Sequence, residues 1–293
     1  MPSFDNKKRL RTVITLATGN FGNAQDNVVV LEGYRTSFES TAAGQLQMGS
    51  ARIRIFGVTQ QIMDACTVLQ FQNINSRLSV NVKVYAIDGE QDTLVFNGFV
   101  VMAWGDYSNM PDVCLNIQAQ SALVAAQKSA KPKSYKGAAD VASIFGVLAR
   151  EGGYILENNG VQKSLYDVYL ASSLLEQIRD LAKQASVDFG IEDSVLWIAP
   201  KNAGRGGFIP LVSASTGLMG YPIFNGVGVV FKTLYNPAIR AGGKIQLETD
   251  INRANGTWVV ASIGHNLSSE MPNGPWQTTV VANYSGLAIT TNN

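Results

Sequence analysis

The sequence is poor in charged residues. Only 15% of its 293 residues are Asp, Glu, Lys or Arg, against roughly 25% in an average soluble domain. Charged groups are costly to desolvate at the centre of a protein interface, so a surface with few of them suits protein–protein contact. The alternative is a neutral enzyme with a large buried core. The formal net charge of +1 argues against a dedicated nucleic-acid binder, which needs a basic face.

One histidine and two cysteines leave little material for the common catalytic and metal sites. His265 would have to be the base of any Ser-His or Cys-His system, but the alternating stretch around it predicts a strand without a nucleophile turn. Cys66 and Cys114 lie far apart without a C-x-x-C spacing. We therefore expect no zinc site, no disulfide framework and a reducing compartment.

Long apolar runs are also missing. No stretch approaches the ~20 apolar residues that a membrane helix requires. The apolar run after the first basic residues is too short for the core of a signal peptide. No membrane anchor is expected.

The carboxylates and glycines do not form a recognisable site. Glu192 and Asp193 lie in a predicted tight turn, and Asp88, Glu90 and Asp92 lie in a polar turn without the Gly and Glu of an EF-hand loop. "NGVGVVF" lacks the third glycine of a dinucleotide fingerprint. "NAGRGGF" lacks the Lys-Ser/Thr of a phosphate loop and is interpreted as a flexible loop. We predict no enzymatic activity, no metal and no cofactor.

Hydrophobic periodicity divides the chain into three regions. In residues 1–120, "SVNVKVYAI" and "ARIRIFGV" alternate with a period of two, which predicts half-buried strands. "TLVFNGFVVMAW" predicts a hairpin or bulge at its Asn-Gly pair. This region is predicted to be a small antiparallel β-barrel or sandwich, formed of strands.

Residues 121–204 change to a helical pattern. Val141, Ile144, Phe145 and Leu148 form one apolar stripe, and "SSLLEQIRDLAKQA" repeats the pattern with a Ser-x-x-Glu capping box at its start. "GGYILENN" and "VDFGIEDSVLWIAP" predict short strands. The basic stretch "KSAKPKSYKG" is interpreted as a linker. This region is predicted to be a small α+β module.

In residues 205–293 the strand pattern returns. The predicted fold is a β-rich α+β protein with two antiparallel β-barrel or sandwich domains flanking the α+β module. The last region is dense in glycine, proline and tryptophan at turns, where Pro237 excludes a central strand and Gly242 and Gly243 permit a tight entry to the next strand. We predict an assembly surface shaped by thirteen residues: Gly217, Gly220, Pro222, Asn236, Pro237, Arg240, Gly242, Gly243, Trp258, His265, Pro272, Gly274 and Trp276.

The order of several short motifs resembles the baseplate hub proteins of tailed bacteriophages. The motifs include "RIRIFGVTQQIMDA", "PKSYKGAADVASIFGVLAREGG", "TGLMGYP", "LYNPAIRAGGKIQLE" and "SIGHNLSSEMPNGPWQT". The resemblance covers nearly the whole chain. It implies that residues 1–120 and 205–293 are two tube-like β domains flanking the middle module. It further implies a structural virion component in which three copies form a pseudo-sixfold ring that joins the tail tube to the central spike.

The resemblance also implies partners. These are two further copies of the chain, the tail tube or distal tail protein, the spike, and a tape-measure protein and transient DNA in the lumen. The location implied is the tail baseplate, assembled in the host cytoplasm. We further hypothesise that Arg240 pairs across a subunit boundary. The alternative function is a tail protein that binds or degrades cell-wall peptidoglycan with the α+β module. A paired-carboxylate cleft, which the sequence does not show, would favour that alternative.

Overall fold

The computed structural model describes residues 7–21, 26–43, 49–69, 80–123, 129–192 and 194–284. The helices are α1 Gln60–Cys66, α2 Val141–Gly152 and α3 Leu174–Ala185, with single 3-10 turns at Ala214–Thr216 and Asn252–Ala254. The strands are β1 Lys8–Leu16, β2 Val28–Glu32, β3 Thr36–Ala43, β4 Ser50–Phe56, β5 Val80–Asp88, β6 Gln91–Asp106, β7 Cys114–Gln120, β8 Lys133–Asp140, β9 Ile155–Asn158, β10 Ser164–Leu170, β11 Val187–Glu192, β12 Val195–Pro200, β13 Leu211–Val212, β14 Leu218–Phe224, β15 Gly228–Leu234, β16 Lys244–Leu247, β17 Gly256–Ser269 and β18 Trp276–Tyr284.

One 13-stranded sheet contains strands from both ends of the sequence. Its order is β14-β15-β18-β17-β3-β4-β7-β6-β5-β1-β2, with β16 on β17 and β13 on β16. The two terminal regions are joined where β3 pairs antiparallel with the second half of β17, from Thr36 opposite Ser269 to Ala43 opposite Ser262. The β-rich character predicted from the sequence is confirmed. The strands of the two regions, however, belong to one sheet.

Alternating side chains explain why these segments are strands. In β5 the side chains of Val80, Val82 and Val84 are buried, whereas the residues between them are only partly buried. In β4 Ile53 and Ile55 are fully buried and flanked by exposed arginines. One face of each strand therefore packs on the core, as the period of two predicts.

Two details of the first region differ from the sequence predictions. Of the hairpin or bulge predicted at Asn97-Gly98, the hairpin is wrong, because β6 continues through this pair as one 16-residue strand. The pairing register of β6 shifts on either side of the pair, between Leu94 and Phe96 and between Val100 and Met102. A side chain at Gly98 would place its Cβ 2.6 Å from the carbonyl oxygen of Gln120, so the glycine permits close approach of β7. The region also contains helix α1, which the strand-only prediction missed.

The middle region contains both predicted helices and two small sheets. β9 pairs parallel with β12 in the order β11-β12-β9, and β8 pairs with β10. Asp140 caps α2 and Ser173 caps α3. The linker prediction is wrong for the second half of "KSAKPKSYKG", which forms the start of β8. This segment is a strand because its alternate side chains face the helices, and Tyr135 packs against the core of the module.

The described residues contain three hydrophobic clusters. The first lies in β1–β7 and α1 and also takes in Tyr235 and Leu267 from the C-terminal region. The second lies among the two longer helices and their sheets. The third lies among the strands from β13 to β18. Among the helices described, none has the length and apolarity to cross a membrane.

Candidate functional site

A cavity of about 340 Å³ lies where the three hydrophobic clusters meet. Its walls come from β3 and β6 of the first region, from β9, β11 and β12 of the middle region, and from β17 with the turn that precedes β16. Its volume falls at the lower end of the range for small-molecule pockets. Because all three regions of the chain contribute to its walls, the cavity lies at their junction.

Arg205 is the central charged residue of this junction. It is only 3% exposed and contacts two carboxylates. Its Nε and Nη2 donate to Glu157 at 3.0 and 2.7 Å, and its Nη1 donates to Glu192 at 2.5 Å. The guanidinium also lies 5.4 Å from the centroid of the Trp197 ring. One side chain thus ties together β9, β11 and β12.

The surroundings of Arg205 and Glu157 favour the charged form of both side chains. The hydrogen bonds from Arg205 hold the pKa of Glu157 below its ordinary value. Burial disfavours the charged guanidinium, but its bonds to Glu157 and the nearby Glu192 outweigh burial and raise the pKa of Arg205. A glycosidase acid needs a carboxyl whose pKa is raised. Glu157 has the opposite property and therefore suits a structural ion pair.

The turn between β15 and β16 forms one wall of the cavity through Pro237, Ile239 and Arg240. Asn236 begins it, because its side-chain oxygen accepts from Ala238 N at 2.9 Å and its carbonyl accepts from Ile239 N at 3.1 Å. The carbonyl of Arg240 accepts from Gly243 N at 3.0 Å and closes the turn. This is the Asn-Pro turn expected from the sequence.

Gly242 links this turn to the Arg205 segment. Its carbonyl accepts from Arg205 N at 2.6 Å, and its own N donates to Val260 O at 2.8 Å. Its φ is +73°, and a Cβ here would lie 2.5 Å from the Trp197 ring. The carbonyl of Gly243 accepts from Val260 N at 2.8 Å, so two backbone hydrogen bonds join this turn to β17. Only Gly242 of this pair has a positive φ, so it alone requires glycine's conformational freedom.

Arg240 is exposed at the cavity. Among the described residues no carboxylate lies within ion-pair distance of it, whereas its charge contributes to the lowered pKa of Glu157. Its guanidinium is therefore available to an external acceptor.

His265 belongs to an aromatic cluster beside the cavity. Its Nδ1 lies 3.0 Å from the Thr278 hydroxyl, and its ring meets Tyr235 edge-on at 5.3 Å. Tyr235 in turn meets Trp276 edge-on at 6.0 Å. Burial lowers the pKa of His265 to about 4, so the ring is neutral at neutral pH. A neutral imidazole packed in this way has a structural role.

The structure brings together about half of the residues predicted from the sequence. Those at or beside the cavity are Asn236, Pro237, Arg240, Gly242, Gly243, His265 and Trp276. The others lie elsewhere: Gly217, Gly220 and Pro222 at β14, Pro272 and Gly274 between β17 and β18, and Trp258 in the third hydrophobic cluster. Trp258 Nε1 donates to Ala254 O at 2.8 Å, which satisfies the buried indole.

Sequence reasoning missed Arg205 and its partners. The glycine-rich pattern of "NAGRGGF" predicts a flexible loop, yet its arginine is buried and bonded on three sides. The one sequence feature that could have indicated a buried arginine is its position among glycines, which allow the backbone to approach other elements closely. Gly204 beside it has a φ of +69° and would bring a Cβ within 3.1 Å of Gly242 O.

The predicted absence of a metal site can be examined only in the part of the chain that the structure describes. No group of His, Cys, Asp and Glu there could hold a metal ion. Cys66 and Cys114 are both buried and free. Burial raises the pKa of the Cys66 thiol to about 12, which makes it a poor nucleophile.

Comparisons with solved structures show a shared fold. The chain is similar in structure to the tail protein from Neisseria meningitidis MC58, with 9% identity, 94% of this chain and 97% of that chain covered, and a TM-score of 0.63. It is also similar to the 43 kDa tail protein of prophage MuSo2 from Shewanella oneidensis, with 9% identity, coverage of 94% and 98%, and a TM-score of 0.57. A third similar structure is a chain of the Francisella PdpA–VgrG complex. The identity is 9%, the match covers 96% of this chain and 59% of that chain, and the TM-score is 0.52.

These identities are too low to show more than a shared fold. No curated protein matches the sequence. The family model described as baseplate hub gp41, however, matches residues 9–278, which is nearly the whole chain. The resemblance read from the motif order is therefore confirmed: the chain belongs to the baseplate hub gp41 family, and its role is that of a structural component of a phage tail.

Proposed function

We propose that three copies of this chain close into a pseudo-sixfold ring that joins the tail tube to the central spike. Family membership and the similarity to tail proteins support a tail component. The ring, its stoichiometry and its partners form the proposal. Two β regions in each chain, with separate hydrophobic clusters, would supply six in a trimer.

The observation that carries the proposal is the pair of longer free edges of the 13-stranded sheet. Within the described residues β14 and β2 end the main strand order on opposite sides, and each has only one neighbouring strand. The two-residue strand β13, which pairs only with β16, is a third and much shorter edge. An unpaired edge presents a row of backbone donors and acceptors that another chain can pair with. The two longer edges of a single copy therefore offer two different sites for β pairing.

Both edges also expose large apolar side chains. On β14 Tyr221 is 66%, Ile223 70% and Phe224 51% exposed. On β2 Val28 is 43% and Val30 55% exposed. Exposed apolar edge strands promote aggregation, and monomeric proteins therefore avoid them. We expect these two edges to be buried in an assembly.

Pairing of β14 with β2 of the next copy would satisfy both edges at once. Because the two surfaces differ, the contact is heterologous, and repetition of a heterologous contact produces a ring when the rotation closes. The exposed Arg240 would then pair with a carboxylate of the neighbouring copy. Such a pair would set the register of the contact.

The ring would place the protein in the tail baseplate of the virion after assembly in the host cytoplasm. The similarity to a chain of a PdpA–VgrG complex supports a spike protein as one partner. The tail tube or distal tail protein would be the other. A tape-measure protein and transient DNA would pass through the lumen.

The experiment is the native mass of the purified chain, measured by light scattering and mass photometry over a range of concentrations. A trimer gives roughly 95 kDa, three times 31.5 kDa. Ile223→Lys at β14 and Val30→Lys at β2 should each reduce the mass to that of one chain. Ile155→Lys is the matched control, because Ile155 is equally exposed at 70% on a different sheet.

Mixing the two edge variants distinguishes a heterologous contact from a symmetric one. Each variant keeps one intact edge, so the mixture should form one-to-one dimers through the remaining β2 and β14. A self-complementary contact of β14 with β14, or of β2 with β2, would instead leave one variant dimeric on its own, and mixing would produce no new species. That outcome, or edge variants that assemble like the wild type, would contradict the ring proposed here.

A further inference from the structure

The two-stranded sheet of the middle region exposes an aromatic pair. Tyr166 and Tyr169 on β10 are 76% and 62% exposed, whereas Val168 and Leu170 are buried against the helices. Residues three apart on a regular strand face opposite sides. Here the pairing register shifts between Tyr166 and Val168, so that both tyrosines lie on the outer face.

The backbone of this bulge is held in place by two unusual residues. Asp167 has a φ of +51°, and its Oδ1 accepts from Gly137 N at 2.9 Å. Gly137, on the facing strand β8, has a φ of +76°. Bulges re-aim side chains at functional surfaces, and a positive φ at a non-glycine residue carries a cost. The placement of the two tyrosines is therefore built into the sheet.

The residues around the tyrosines are small or polar. Ala138 lies opposite Tyr166, and Ser134 lies opposite Tyr169. Both are exposed and too small to cover the rings from across the sheet. Lys136 and Asp140, also exposed, contribute one positive and one negative charge to the same face. Asp167, exposed at the bulge, adds a second carboxylate. The face thus has two open aromatic rings, a polar surround and a small net negative charge.

Its size and charge narrow the choice of ligand. Two strands of seven and eight residues span about 25 Å by 10 Å, or roughly 250 Å². A stable protein interface needs about 800 Å² from each partner. One lysine and two aspartates do not suit a polyanion such as a nucleic acid, which requires an excess of Lys and Arg. A narrow, largely uncharged ligand fits these limits.

We propose that this face binds an extended, uncharged polysaccharide strand. A sugar ring has an apolar C–H face that can stack on tyrosine, and hydroxyl groups around its rim. The tyrosine hydroxyls, Ser134 and Lys136 supply hydrogen-bond partners for that rim. The site would bind sugar without hydrolysing it, and it does not depend on ring formation.

The test is binding of the full chain to chitohexaose by isothermal titration calorimetry, with sedimentation on purified murein in parallel. Replacement of both tyrosines by Ala should weaken binding about tenfold or more, because stacking on an aromatic ring is lost. Replacement of both by Phe should retain most of the affinity. Tyr107→Ala is the matched control, since Tyr107 is an exposed tyrosine (39%) in the turn after β6, away from β10 and from both sheet edges.

Circular dichroism and native mass accompany each variant. All are expected to fold, because the substituted side chains lie at the surface. Failure of the wild type to bind either glycan would overturn the proposal, as would equal affinity in the double Ala variant. A double Ala variant that changes only the native mass would show that the face is a protein contact, and this result would also overturn it.

Discussion

Gly242 is the residue at which the turn beside the cavity tolerates least change. Alanine there must adopt a φ of +73° and place its Cβ against the Trp197 ring. We expect Gly242→Ala to lower the free energy of unfolding by about 3 kcal/mol, of which the left-handed backbone accounts for about 1–2 kcal/mol. Urea denaturation measures the loss.

Gly220→Ala separates the two causes. Gly220 has a similar φ of +70°, but nothing lies within 4 Å of the position that a Cβ would take there. This variant should therefore lose only the backbone contribution, about 1–2 kcal/mol. Equal losses in both variants would show that the Trp197 contact is unimportant.

His265 should make stability depend on pH. Its pKa is about 4 in the folded chain against 6.5 ordinarily, so the unfolded state binds the proton more readily. Stability from this residue is complete above pH 6.5 and falls as the pH drops towards 4, by up to about 3 kcal/mol. Since carboxylates titrate as well, the comparison is with His265→Gln, which can still bond to Thr278.

Urea unfolding of both proteins between pH 7 and pH 4 isolates the histidine. The wild type should lose more stability over this interval than His265→Gln. If the free energy of unfolding falls equally with pH in both proteins, the imidazole is protonated in the folded state without loss of stability.

At the scale of the element, the two helix caps differ in strength. Asp140 accepts from Ser143 N and from Ser143 Oγ, both at 2.8 Å, whereas Ser173 accepts from Glu176 N at 3.4 Å. Asp140→Ala should cost about 1 kcal/mol and Ser173→Ala less. Asp140→Asn, which keeps an acceptor, should retain most of the stability. Thermal unfolding at pH 7 would contradict this order if Ser173→Ala cost more.

The Asp140 cap should also weaken in acid. Hydrogen bonds from Ser143 hold the pKa of Asp140 below its ordinary value. The contribution of the carboxylate is therefore present above the ordinary pKa and is lost as the pH falls through the lowered one.

Local elements of this fold could be predicted because their signals lie within a few residues. The alternation in β5 and the apolar stripe of α2 each extend over less than fifteen residues. The site could not be predicted in the same way. Arg205 meets Glu157 across 48 residues of sequence, and nothing in a glycine-rich stretch indicates which carboxylates will face it.

Bulges and edge strands show the same limit. The sequence "SLYDVYL" predicts nothing special until β8 fixes the shifted register around Asp167. Helix α1 has only seven residues, too few for a periodic pattern to outweigh the strands around it. The turn at Asn236-Pro237 could be predicted, because proline and asparagine set its geometry locally.

At the scale of the whole molecule, Arg240 tests the subunit contact. If it pairs across a boundary, Arg240→Ala should shift the concentration at which trimers dissociate upwards by about tenfold. The shift should shrink at high salt, because exposed charges are screened. Arg253→Ala is the control, since Arg253 is an exposed arginine on a different turn. An Arg240→Ala variant that assembles normally would remove this residue from the contact.

The pairing of β3 with β17 has a consequence for how the chain is made. The nearest partners across this seam, Ala43 and Ser262, are separated by roughly 220 residues of sequence. At a ribosomal rate of about 5–20 residues per second, β3 waits on the order of ten to forty seconds for its partner to emerge. The α+β module can complete its own core in that interval, because its strands and helices are close in sequence. The large sheet closes last, so newly synthesised chains carry an open β3 edge, and at high expression this edge is where misassembly should begin.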